Sequence, residues 1–139
     1  MPISPTYSKT IVIPKDAIDG NGHVNNVVYV QWMQDIAVEH YASIGGIQAQ
    51  GPHATWVIRE HKVEYFLPAF EGEEIEIRTW VEDVRRVRSL RKYEFIRKSD
   101  GRVLVKGETD WVFVDIQTGR PQPVPQKVIE TFVSVKSGR

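Results

Sequence analysis

The chain has 139 residues, 41% of them hydrophobic and 26% charged, with eighteen acidic residues set against eighteen basic ones. That length points to one domain over residues 1–139 with a sizeable core, and the balanced charge excludes a global field for nucleic acid or anionic membrane. With no cysteine, disulfides, thiolate nucleophiles and cysteine-ligated metals drop out together, as suits a reducing cytoplasm.

The opening "MPISPTYSK" lacks the apolar stretch of a signal peptide, and no run reaches membrane-spanning length. The expectation is a soluble cytoplasmic protein. "YSKTIVIP" (7–14) is β-branched and bounded by proline, and reads as a first strand. After a loop, residues 25–44 run without proline or glycine and stop at Gly45-Gly46, which predicts a long helix. On a helical wheel Tyr29, Met33, Ile36, Ala37 and Ile44 share one face, opposite Gln31, Gln34 and Asp35. Trp32, Val38 and Tyr41 fall outside that stripe, so the helix is expected to be enclosed on several sides.

Strands follow. "TWVIREHKVEYFL" (55–67) alternates imperfectly, the mark of a bulge or of burial at one end. "EEIEIRTWVEDV" (73–84) alternates cleanly, with Ile75, Ile77, Thr79 and Val81 on one side. "SLRKYEFIR" (89–97), a Ser99-Asp100-Gly101 turn and "RVLVKGETDWVFVD" (102–115) come next, the last with Val103, Val105, Thr109, Trp111 and Phe113 on one face. A proline-rich stretch leads to a short helix near residues 125–132. One strand, a strongly apolar helix and four antiparallel strands solve each other's burial problem if the sheet curls around the helix. The predicted class is α+β in the hotdog arrangement, an antiparallel five-stranded sheet wrapped around one long central helix. Its open edges invite pairing with a second copy, so a homodimer or homotetramer is expected.

The chemistry gathers in "DGNGHVNN" (19–26), where the chain enters the helix. As punctuation, Asp19-Gly20 and Asn21-Gly22 are turn dipeptides, and Asn25 or Asn26 is a helix cap. As a site, the helix start offers backbone N–H groups with no internal partner and the positive end of the macrodipole. A carbonyl oxygen gathering charge in acyl transfer is stabilised there. The Asp19 carboxylate lies a few residues upstream, suited to act as general base for water or as nucleophile.

Asp-x-Asn-x-His-Val-Asn-Asn, followed by an aromatic-rich helix, resembles the signature of the hotdog thioesterases. It is similar both to bacterial acyl-CoA thioesterases of the 4-hydroxybenzoyl-CoA type and to plant acyl-ACP thioesterases. The likeness extends through "VEYFLPAFEGEEIEIRTWV" and "DWVFVDIQTGRPQPVP". It implies a catalytic Asp19, accompanied by Asn21 and His23, with a carbonyl-polarising amide near Asn26. It implies hydrolysis of acyl-CoA, or of acyl-ACP, with no cofactor and no metal. A hotdog that binds acyl-CoA without cleaving it is the reading from another class.

A basic run, "RRVRSLRK", places Arg85, Arg86, Arg88, Arg91 and Lys92 around a predicted hairpin. It suits a solvated strand edge, and equally a grip on coenzyme A phosphates, with Arg88 and Ser89 as the candidates. His61 is a candidate for the acyl pocket or a strand residue, and His40 reads as a satisfied core or interface histidine. Zinc-protease spacing, a phosphate-cradling glycine loop, a Gly-x-Ser-x-Gly elbow and a dinucleotide fingerprint are absent from the sequence.

Overall fold

The computed structural model describes residues 2–133. Strand β1 (Tyr7–Val12) leads through a 3₁₀ turn (Lys15–Ala17) to helix α1 (Asn26–Ser43) and a short helix α2 (Gly46–Gln50). Strands β2 (Ala54–Tyr65), β3 (Glu74–Arg85), β4 (Arg88–Arg97) and β5 (Val103–Asp115) follow, then helix α3 (Gln126–Val133). The five strands form one antiparallel sheet in the order β1-β3-β4-β5-β2, curled about α1 in the hotdog arrangement. β1 and β2 are therefore the two free edges. The expected irregularity in β2 is a register shift between Ile58 and Glu60 against β5.

Burial follows period. In β3, Ile75, Ile77, Thr79 and Val81 turn inward, as their alternation requires. In β5 the expected inward face holds Val105, Gly107, Thr109 and Phe113, but Leu104, Val112 and Val114 on the other face are buried too. The chain folds back over both ends of this strand. Phe66 and Leu67 donate their N–H groups to the Leu104 carbonyl, and Gln122 donates to that of Phe113.

On α1 the inward residues are Tyr29, Met33, Ile36, Ala37 and His40. Enclosure on several sides is not what the single chain shows: Val27 is 72% exposed and Val38 58%. Residues spaced three and four apart on that side all face away from the sheet. Contact with the sheet is so close that a Cβ added at Gly107 would come within 2.8 Å of the Met33 sulfur. Short α2 does not follow from the Gly45-Gly46 stop. Gly45 takes a left-handed conformation (φ 83°), and the chain restarts at once with Gly46 under the Tyr41 ring.

The core has two parts. The larger joins α1 to β3, β4 and β5 through Met33, Ile36, Ile77 and Phe95. The smaller lies under α3 and contains Val81, Phe113, Val128 and Phe132.

Candidate functional site

The Asp19 loop closes on itself through backbone bonds. Asp19 N–H donates to the His23 carbonyl at 3.0 Å, and Gly22 N–H donates to the Asp19 carbonyl at 3.0 Å. Gly22 holds φ 84°, a value that a residue with a Cβ reaches only with strain. The Asn21 N–H donates to Asp19 Oδ1 at 2.8 Å, which orients the carboxylate. Val24 and Asn25 then tie the loop to the body, donating to the carbonyls of Ala69 and Ala17.

Asn25 is the helix cap. Its backbone is extended (φ −63°, ψ 133°), and its Oδ1 accepts the Val27 N–H at 3.0 Å. Val28 N–H is taken by the Asn25 carbonyl, whereas the Asn26 N–H makes no hydrogen bond among the described residues. It is an open amide at the first position of the helix. The Asn26 carbonyl accepts the Tyr65 hydroxyl at 3.0 Å. Tyr65 packs edge-on to buried Tyr29, whose own ring meets Phe95 at 5.0 Å. Burial first, then Tyr65 and Glu73, push the Tyr29 phenol up to about 12, so it is a neutral wall rather than a base. His23 is half-buried, with Nδ1 3.4 Å from the Val24 carbonyl, and Asn21 is exposed.

The other three candidates lie on the sheet. His61 Nδ1 sits 2.9 Å from Thr109 Oγ1, and burial lowers its pKa. Arg88 is tied to Asp110 by Nε at 3.2 Å and Nη2 at 2.5 Å, with Arg59 joining the same carboxylate at 2.8 Å. Burial works to raise the Asp110 pKa, but the hydrogen bonds from Arg88 and Arg59 outweigh it and hold the carboxyl below its ordinary value. Ser89 is buried and donates to the Asp83 carbonyl at 3.0 Å. The hairpin tip itself carries Arg86, exposed and in a left-handed conformation (φ 52°).

Arg91 does not belong to the surface cluster. It is 4% exposed, because Ser89, Arg91, Tyr93 and Phe95 all take the inward face of β4. Its Nη1 donates to Thr79 Oγ1 at 3.1 Å and to His40 Nδ1 at 2.9 Å. Since a guanidinium only donates, His40 accepts at Nδ1 and carries its proton on Nε2. The ring of Tyr7 stacks on His40 at 5.2 Å.

Burial, and then the neighbouring Arg91 cation, pull the His40 pKa from 6.5 down to about 4. The unfolded chain gains a proton there below the ordinary value and the folded chain only below the lowered one. The contribution of His40 to stability therefore falls as pH drops through that window and is level above it. The expected loss is on the order of 3 kcal/mol. Urea unfolding at the two ends of the window measures it, and His40→Gln removes this part of the slope. An unchanged slope in the variant would assign the effect elsewhere.

A cavity of about 210 Å³ opens beside Arg91, walled by Ala37, Tyr41, Trp56, Ser89, Trp111 and Phe132. Ala37 lies eleven residues past Asn26 on α1, roughly 17 Å along the axis. The structure thus brings Asp19, Asn21, His23 and Asn26 together in one loop and sets Ser89 in the wall of a separate cavity. No cluster of His, Asp and Glu among the described residues is suited to a metal ion, and no helix among them is long and apolar enough to cross a membrane.

The fold recurs in solved thioesterases. A 1,4-dihydroxy-2-naphthoyl-CoA thioesterase from Synechocystis superposes with a TM-score of 0.83 at 15% identity, covering 96% of this chain and 100% of that one. The probable thioesterase YbaW from Escherichia coli gives 0.82 at 16% identity, covering 91% and 96%. An acyl-ACP thioesterase from Bacteroides thetaiotaomicron gives 0.78 at 23% identity, covering 84% of this chain and 49% of that one. At these identities the likeness establishes the fold. A search of curated proteins finds no match. Residues 12–132 match the family model of the thioesterase-like superfamily, and the chain belongs to that superfamily.

Proposed function

We propose that the protein hydrolyses acyl-CoA thioesters to a carboxylic acid and free coenzyme A in the cytoplasm. The observation that carries this reading is the open Asn26 amide at the start of α1, in one loop with an oriented Asp19 carboxylate. The thioester carbonyl oxygen accepts the Asn26 N–H, and the helix dipole favours the charge that develops on it. Asp19 removes a proton from water as it adds to the carbonyl carbon, or attacks that carbon itself. The carbon–sulfur bond then breaks, and the thiolate leaves to take up a proton; if Asp19 attacked, water next opens the acyl-aspartyl anhydride to release the acid. Asn21 holds the carboxylate through its backbone N–H, and His23 lines the same loop.

The exposed guanidinium of Arg86, at the β3–β4 tip, is available for a coenzyme A phosphate, whereas Arg88 is already committed to Asp110. The free β2 edge and the exposed Val27 and Val38 suit a second copy, whose arrival encloses the acyl chain at the subunit boundary. Release of thiol from a panel of aliphatic and aromatic acyl-CoAs tests the activity, and an inactive protein across that panel overturns it. One acyl group presented on coenzyme A and on acyl carrier protein separates the two carriers. An acidic carrier protein would dock on the basic hairpin, so preference for it would be lost when Arg85 and Arg86 are both replaced by Ala.

A further inference from the structure

Arg91 is a buried cation with no ion pair among the described residues; its hydrogen-bond partners, His40 and Thr79, are uncharged. The Thr79 hydroxyl proton is engaged, donating to the Lys92 carbonyl at 2.9 Å. Buried charges are costly unless something of opposite sign meets them. The Nε–H and both Nη2–H donors of Arg91 make no hydrogen bond among the described residues. The residue lines the 210 Å³ cavity.

None of the surrounding polar groups is an anion, and most are already engaged. The indole N–H groups of Trp56 and Trp111, whose rings line the cavity, are sealed within the protein and turn toward the hydroxyls of Tyr41 and Tyr93. Gln50, the wall's amide, is spent on the Tyr41 hydroxyl at 2.8 Å and the Ala54 carbonyl at 3.1 Å. The Ser89 hydroxyl is spent on the Asp83 carbonyl. Thr55 adds a hydroxyl, and the remaining wall is apolar. A forked cation with open donors, in a cavity with a largely apolar wall, selects a planar anion with an apolar body.

We propose that this cavity is a binding site for an organic carboxylate, whose oxygens bridge Nε–H and Nη2–H of Arg91 while its apolar body lies against Tyr41, Trp56 and Phe132. The volume is below the about 300–1,000 Å³ of drug-sized pockets, so the occupant is a small acid or the end of a longer one. Two sources share that chemistry. One is a free monocarboxylic acid. The other is the distal carboxyl of a dicarboxylic acyl group, which rests on the thioesterase reading.

The test begins with binding, which needs no catalysis. Octanoate raises the melting temperature of the protein and octanol, the same chain without charge, does not. Arg91→Met abolishes the octanoate shift. With its own ligand absent, the variant melts at or above the wild type, because an apolar side chain replaces an unpaired buried charge. A purely structural arginine would instead leave a variant that melts lower. Should the variant fail to fold, the Arg91 Nε–H signal of wild type labelled at arginine nitrogen decides: it shifts with octanoate and not with octanol.

Kinetics separate the sources. Suberoyl-CoA is compared with octanoyl-CoA, and hexadecanedioyl-CoA with palmitoyl-CoA. A preference of about tenfold or more in kcat/KM for the ω-carboxyl member, lost in Arg91→Met, assigns the site to the substrate. An octanoate shift without that preference assigns it to a free acid. If octanoate, suberate and benzoate produce no Arg91-dependent shift, and no pair shows an Arg91-dependent preference, the proposal is overturned. Absence of any thioester hydrolysis would overturn the thioesterase reading alone, leaving the binding result to decide this one.

Discussion

Asp19→Asn is expected to lower kcat for the best acyl-CoA by about 10²-fold or more while the protein remains folded. An amide can neither accept the proton of the attacking water nor attack a thioester carbon. It can still accept the Asn21 N–H through Oδ1, as the carboxylate does at 2.8 Å, so the turn keeps its shape. Asp19 is only partly buried and its side chain makes no ion pair among the described residues. The change in stability should therefore stay within about 0.5 kcal/mol. Initial rates and a thermal melt on the same preparation check both halves. Turnover at the wild-type rate would remove Asp19 from the mechanism. Its role as base or nucleophile is then read from a single turnover in heavy-oxygen water. Label incorporated into Asp19 itself marks an acyl-aspartyl anhydride opened at the aspartyl carbon.

Phe95→Ala is expected to have the largest effect on stability. Phe95 is fully buried in β4, with its ring 5.0 Å from Tyr29 and 6.4 Å from Trp32. Truncation removes the transfer energy of the ring and leaves a cavity between sheet and helix, about 3–5 kcal/mol together. Against a total of roughly 5–15 kcal/mol, that is a large share. The urea midpoint should fall accordingly, with little change in slope. Tyr29 is one turn into α1 from Asn26, so the same variant should also lose activity at temperatures where it is still folded. A stability loss below about 1 kcal/mol would mean that the first turns of α1 are not held by this aromatic contact.

These two residues illustrate how far the sequence is readable. Asp19 was visible because its neighbourhood is local: turn dipeptides, a cap and a helix start all lie within eight positions. Asn25 and Asn26 were indistinguishable as caps until backbone geometry placed Asn25 outside the helix and left the Asn26 amide open. Strand β3 was legible from alternation, and β4 follows the same period of two. Read strictly, that same alternation puts Arg91 on the face of Tyr93 and Phe95. Its membership of a charge-rich run obscured this, since charge runs usually mark solvent.

By itself, then, the sequence determined the order of the strands and of the helices α1 and α3, the inward face of most of them, the loop that carries Asp19 and the family likeness. Each of these depends on residues within a turn or two of one another. Only the tertiary structure decided that Arg91 meets His40 from 51 residues away, that Asp110 claims Arg88, and that a cavity lies between α1 and α3. Such pairings depend on strand register and on how a helix seats against a curled sheet. Those are set by packing summed over the whole core and not by any short stretch of chain.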